Sequence, residues 1–168
     1  SELGLLHARL KTTTLYVTHD QVEAMTMGDR VAVIRKGQLQ QVDGPQALYE
    51  SPHNLFVAGF IGSPAMNFIG GHLVDGRFDF GIGTLSVNRE VKSATGRLVA
   101  GIRPESFFVA DSDVPDDQVV EARVDLVEQL GSDAYIHFEL DVPPTITPDI
   151  RELLADQGED TSSIGDKT

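Results

Sequence analysis

The sequence predicts an α/β segment followed by a small all-β barrel or sandwich. Three observations carry this reading: helix-spaced apolar residues with capping signals ahead of residue 62, a glycine-rich break at "GFIGSPAMNFIGG", and a two-residue alternation of apolar and polar side chains beyond it. A chain of 168 residues has room for one full domain or parts of two.

In the first half, Leu3, Leu6 and Leu10 fall on one face of a short helix, and "TTTLYVT", residues 12–18, is β-branched and aromatic enough to be a strand. Asp20 followed three residues later by Glu23 has the form of a capping box. Val22 and Met25 then share a helical face, and Gly28 is placed to end the helix. "DRVAVIRKGQLQQVD" reads as two short strands about a Lys36-Gly37 turn. Gly44-Pro45 opens a helix through about Tyr49, and Ser51-Pro52 opens another, because proline suits the first helical position and serine a cap. The glycine-rich break sets a domain boundary near residues 62–67.

Beyond the boundary, Val120, Ala122, Val124 and Leu126 alternate with Glu121, Arg123 and Asp125. Ala134, Ile136, Phe138 and Leu140 alternate with Tyr135, His137 and Glu139. Each run predicts a strand with one buried face, and Gly131-Ser132-Asp133 between them predicts a β-hairpin turn. Shorter strands are expected at 71–74, 77–80, 84–87, 97–102 and 106–109. From Asp141 onward proline, aspartate, glycine and serine dominate, which predicts a loosely ordered tail or long loop over 141–168, apart from a helical turn at 150–155.

Composition limits the functions open to such a chain. It is 40% hydrophobic and 23% charged, without an apolar run of the roughly 18 residues a membrane span needs. It has no cysteine, and "SELGLLHARLK" lacks the basic and apolar regions of a secretion signal, which favours a cytosolic setting. The net charge of −13 disfavours binding to a nucleic-acid backbone. Charge is also uneven: residues 1–104 carry 10 basic and 9 acidic side chains, residues 105–168 carry 3 and 17. The acidic half reads as a solvated segment rather than a docking surface.

His19 stands between the expected strand and the expected helix in "TLYVTHDQVEAM". It could be packed in a core, ligate a metal, or act as a polar sensor at the carboxyl end of a strand. The metal reading lacks partners, since His7, His53, His72 and His137 are scattered singly, with no i, i+4 pair. The sensor reading is favoured by position, because ligands of open α/β sheets gather outside the carboxyl ends of strands, next to helix amino termini.

Here a family resemblance enters. "LYVTHDQVEAMTMGDRVAVIRKGQLQQVDGPQALYESPHNLFVAGFIGSPAMNF" resembles the end of the nucleotide-binding domain of ATP-binding-cassette importer ATPases of the maltose, sugar and glycerol-phosphate type. In that family "VTHDQVEA" is the switch-histidine loop, "FIGSPAMNF" leads into a regulatory domain, and "GIRPE" and "VEQLGSDA" recur in that domain's oligonucleotide-binding-like (OB-like, TOBE) barrel. All four occur here in order, within residues 10–140. The resemblance implies three segments: 1–62 as the carboxy-terminal end of a nucleotide-binding domain, 63–140 as an OB-like regulatory β domain, and 141–168 as the acidic tail.

It further implies that His19 is both catalytic and cofactor-binding, its imidazole donating to the ATP γ-phosphate or the attacking water. The implied cofactors are ATP and Mg2+. The implied partners are a second ATPase subunit in a homodimer, transmembrane permease subunits and, through them, a solute-binding protein, at the cytoplasmic face of the cell membrane. Yet the sequence contains no Gly-Lys dipeptide and so no G-x-x-x-x-G-K-[ST] phosphate loop, no apolar strand ending in Asp-Glu, and no "LSGGQ"-like signature. A carboxy-terminal fragment, incomplete at both ends, is expected, with no ATPase activity of its own. Strand 13–18 would then have uncovered edges, predicting self-association or poor order at the amino end. The alternative is a non-enzymatic regulatory or ligand-binding β-barrel module. Against ligand binding, the barrel has no tryptophan, and Tyr135 is its single tyrosine, so a stacking platform is thin.

Overall fold

The computed structural model describes residues 12–87, 97–110, 113–114, 119–142 and 147–156. The helix expected over residues 3–10 lies outside them. The described residues fall into two compact units, 12–66 with 147–156 and 67–142.

In the first unit, helix α1 (Gln21–Met27) begins where the Asp20 side chain accepts a hydrogen bond from the Glu23 N–H at 3.1 Å. Gln21, Ala24 and Met25 are half-buried, whereas Val22 is 68% exposed, so of the expected Val22–Met25 face only Met25 packs toward the core. Strands β1 (Val31–Arg35) and β2 (Gln38–Asp43) form an antiparallel hairpin with a register shift between Val33 and Ile34. Lys36 and Gly37 both have positive φ, 47° and 77°, as a two-residue type I′ turn requires.

Helix α2 (Pro45–Glu50) starts with proline in its first turn. The next helix, α3 (Leu55–Phe60), does not open at Ser51-Pro52: Ser51 is the carboxy-terminal cap of α2, and Asn54 caps α3 by accepting from the Val57 N–H at 2.9 Å. Val33, Leu48, Val57 and Ile61 form the core, with Met25, Tyr49, Phe56 and Phe60 packed on it. The Gln41 side chain, 3% exposed, links the hairpin to the α2–α3 connection: Oε1 accepts from the His53 N–H at 2.9 Å and Nε2 donates to the Ser51 carbonyl at 3.2 Å.

Residues 12–18 form no strand. A β-strand is stabilised by a hydrogen-bonded neighbour, and none of the described residues pairs with this stretch, so its β-branched composition has no ladder to join. The helical turn expected at 150–155 is present and longer: Pro148–Asp156 is a helix, α4, opened by Thr147, whose Oγ1 accepts from the Ile150 N–H at 3.2 Å. Ile150 and Leu153, three residues apart, are both buried, which holds this stretch in a helix rather than a loose tail. Residues 143–146 and 157–168 lie outside the described ones.

The second unit carries an antiparallel sheet in the order β5-β4-β3-β6, formed by β3 (Asn67–Val74), β4 (Arg77–Asp79), β5 (Thr84–Ser86) and β6 (Arg97–Ile102). Ile69, Phe78 and Phe80 are its core, joined by Leu98, Ile102, Val120 and Leu140. Gly71 lets β4 come close to β3, since a Cβ there would meet the Asp79 carbonyl oxygen at 2.3 Å. The strand expected at 106–109 is absent; a 3-10 turn (Pro104–Ser106) is followed by irregular backbone.

Strands β7 (Arg123–Leu130) and β8 (Asp133–Glu139) form the expected hairpin, turning at Gly131-Ser132. A register shift between Val124 and Leu126 breaks the expected alternation: Val124 pairs with Phe138 and Val127 with Ile136, whereas Leu126 falls opposite His137; Val124, Leu126 and Ile136 are each 50–52% exposed, Phe107 packs edge-on against Phe138, and Val120 and Leu140 beyond the hairpin ends pack into the core. The four-stranded sheet and this hairpin are not joined by strand pairing into a closed barrel among the described residues.

Candidate functional site

Asp20 fixes the position of His19, because the cap that starts α1 also sets where the preceding backbone turns. Asp20 N–H donates to Thr18 Oγ1 at 3.0 Å, and Thr18 Oγ1 and the Tyr16 hydroxyl each donate to Glu23 Oε2 at 2.9 Å. The Asp20–Glu23 spacing therefore marks a cap, but Glu23 does not reach back to the Asp20 N–H as a reciprocal capping box would; its carboxylate instead ties residues 16–18 to the first helical turn. Glu23 also raises the Tyr16 phenol above its ordinary pKa, first by accepting its hydrogen bond, then with burial and the carboxylate charge adding to the effect.

His19 sits on this tied loop, exposed, two residues before α1. Its imidazole makes no hydrogen bond or ion pair to a described residue. An imidazole so placed can donate a hydrogen bond to an anion or a water at neutral pH. The core-packing alternative does not hold for an exposed ring. Elsewhere, the His53 backbone N–H serves Gln41, and His137 Nε2 lies 3.0 Å from Glu128 Oε2 across the hairpin. Among the described residues no group of three or more His, Cys, Asp or Glu side chains could hold a metal ion.

A second feature, missed in the sequence, is an open cleft of about 520 Å³ bordered by Gln21, Ile34, Arg35, Phe56, Phe60 and Leu153. Arg35 lies 4.6 Å from the centre of the Phe56 ring and 3.3 Å from Glu152, and the Phe56 and Phe60 rings stack at 5.4 Å. The Gln21 Oε1 accepts from the Gly62 N–H at 3.1 Å, joining α1 to the end of the unit. The sequence signal for this cleft was the "LFVAGF" helix face; its acidic partner, more than 90 residues away in the chain, left no local trace.

The chain thus joins an α/β unit, with an exposed histidine ahead of a short helix, to an antiparallel β unit. Residues 62–107 match the MalK OB fold domain model, and residues 100–152 match the TOBE domain model. The chain belongs to the family of ATP-binding-cassette importer subunits that carries these two domains.

Its relatives include the diacetylchitobiose uptake system ATP-binding protein MsiK of Streptomyces coelicolor, 45% identical over 160 residues, 84% of this chain and 42% of that protein. The trehalose/maltose import ATP-binding protein MalK of Thermococcus litoralis is 46% identical over 83% of this chain and 41% of its own length. The trehalose import ATP-binding protein SugC of Mycobacterium tuberculosis is 41% identical over 94% of this chain and 43% of its own length. The chain thus spans about two-fifths of the length of the curated relatives it matches. No helix among the described residues is long and apolar enough to cross a membrane.

Proposed function

We propose that this chain is the sensor and regulatory portion of an ATP-hydrolysing subunit that powers import of a sugar or related solute. The observation that carries the reading is the exposed imidazole of His19, without a hydrogen-bond partner among the described residues, next to the Thr18–Asp20–Glu23 bonds of the first unit. The kinship with import ATP-binding proteins supplies the substrate class.

In this reading His19 donates to the γ-phosphate of ATP or to the water that attacks it. Phosphoryl transfer depends on positioning and charge stabilisation more than on covalent chemistry, so an imidazole that meets the terminal phosphate both orients the reaction and registers that the phosphate is present. Loss of the phosphate removes that contact, which makes His19 a switch. Mg2+ would neutralise phosphate charge when bound; the described residues contain no carboxylate cluster fitted to hold it, and it falls to other residues of the complete subunit. The complete subunit works as a homodimer that ATP closes and hydrolysis reopens, a population shift passed to permease subunits and a solute-binding protein at the cytoplasmic face of the membrane. The OB-like unit serves regulation or protein docking.

The test is His19→Ala in the complete subunit. Turnover falls by roughly 10²-fold or more, the size of a lost acid-base or orienting group, while Asp20 capping and the fold remain. Unchanged ATP hydrolysis by that variant removes the sensor role.

A further inference from the structure

The bonds around His19 form a circuit that starts and ends at Asp20. Asp20 N–H donates to Thr18 Oγ1 at 3.0 Å, Thr18 Oγ1 donates to Glu23 Oε2 at 2.9 Å, and Glu23 N–H donates to Asp20 Oδ1 at 3.1 Å. His19 stands between two members of this circuit, Thr18 and Asp20. The Tyr16 hydroxyl joins from further back in the chain, donating to the same Glu23 Oε2 at 2.9 Å.

Glu23 decides which way the circuit runs. An ionised carboxylate only accepts, so the Thr18 hydroxyl commits its single proton to Glu23 and keeps its lone pairs for the Asp20 N–H. Hydrogen bonds to an ionised oxygen are also stronger than neutral ones, and two converge on this one. Take the carboxylate away, and the hydroxyl is free to rotate out of the path of the Asp20 N–H. The Asp20 cap then still holds the helix side of His19, but residues 16–18 lose their tie to α1.

We infer that Glu23 is a positioning residue for His19: its Oε2, by accepting from Thr18 and Tyr16, fixes the backbone on the amino side of the histidine, while the Asp20 cap fixes the carboxyl side. The catalytic consequence rests on the sensor role proposed for His19; the structural one rests on the bonds alone. Glu23 acts through His19 and is given no contact with ATP. A displacement of about 1 Å in a reacting constellation can cost 10²-fold in rate, so an orienting carboxylate one helical turn from the imidazole registers in turnover.

Two measurements test it. In the 168-residue chain without nucleotide, NMR relaxation gives the His19 and Asp20 amides order parameters of about 0.85, the value of rigid backbone, and below about 0.6 in Glu23→Ala. Glu23→Gln keeps the rigid value, because both side-chain donors meet a single oxygen and an amide oxygen can take its place. In the complete subunit, Glu23→Ala lowers kcat for ATP hydrolysis about 10-fold, Glu23→Gln restores it, and Glu23→Ala added to His19→Ala costs nothing further. Alanine is a strong helix former and keeps the N–H that Asp20 accepts, so α1 persists in these variants, as circular dichroism checks. Unchanged order parameters in Glu23→Ala, no rescue by Glu23→Gln, or a further loss on top of His19→Ala overturns the positioning role. Wild-type turnover by His19→Ala instead brings down the sensor role, and the order parameters then judge the Glu23 tie on their own.

Discussion

The Tyr16 hydroxyl donates to the Glu23 carboxylate at 2.9 Å, across the residue that carries the exposed imidazole of His19. The bond stabilises the neutral phenol and raises its pKa. A raised pKa adds stability that is fully present below the unfolded value of about 10 and is lost as pH rises through the folded value. Glu23→Ala brings the Tyr16 titration down toward that of an ordinary tyrosine, read as the difference in tyrosinate absorbance between the two proteins. Identical curves would show that Glu23 does not hold Tyr16 in solution.

Gln41 is the polar linchpin of the first unit. Gln41→Leu leaves the His53 N–H and the Ser51 carbonyl without their side-chain partner in a partly buried site. The cost is on the order of 1–3 kcal/mol, seen as a lower urea midpoint for the first unit with the β-unit transition unmoved. A midpoint equal to wild type would place water on both groups at no cost.

Gly71 sets the spacing of β3 and β4. In Gly71→Ala the new methyl meets the Asp79 carbonyl oxygen at 2.3 Å and the Phe78 ring at 2.7 Å. Backbone cannot swing aside as a side-chain tip can, so the strands separate and the β unit loses about 1–3 kcal/mol. Thermal unfolding of the variant measures this; an unchanged melting temperature contradicts the close approach.

The 168 residues by themselves are expected to release no phosphate from magnesium and ATP, because they include no G-x-x-x-x-G-K-[ST] loop to grip the phosphates that the role proposed for His19 requires. Phosphate release that scales with protein concentration refutes this, provided that His19→Ala abolishes it, which excludes a contaminating ATPase.

Much of the fold was legible where the signal is local. Lys36-Gly37 specified its hairpin because few residue pairs tolerate two positive φ angles in succession. Asp20 specified the start of α1 because its carboxylate reaches only as far as the next turn. β6 was read at its full length, 97–102, from composition and flanking turns. At the candidate site, the helix that follows His19 was legible, whereas the strand expected ahead of it is absent, and the Tyr16–Glu23 tie did not follow from the sequence, since Glu23 has two partners within reach and the capping-box pattern names the other one.

What the sequence determined alone, then, were turns, caps, strand periodicities and the candidate histidine, each set by interactions spanning a few residues. Tertiary structure decided whether 12–18 had a strand to pair with, whether Val124 and Leu126 were covered, and whether the helical turn expected at 150–155 lengthened and docked. Those outcomes turn on partners distant in the chain, such as Arg35 and Lys36 for Glu152, and burial is a property of the neighbour as much as of the residue buried.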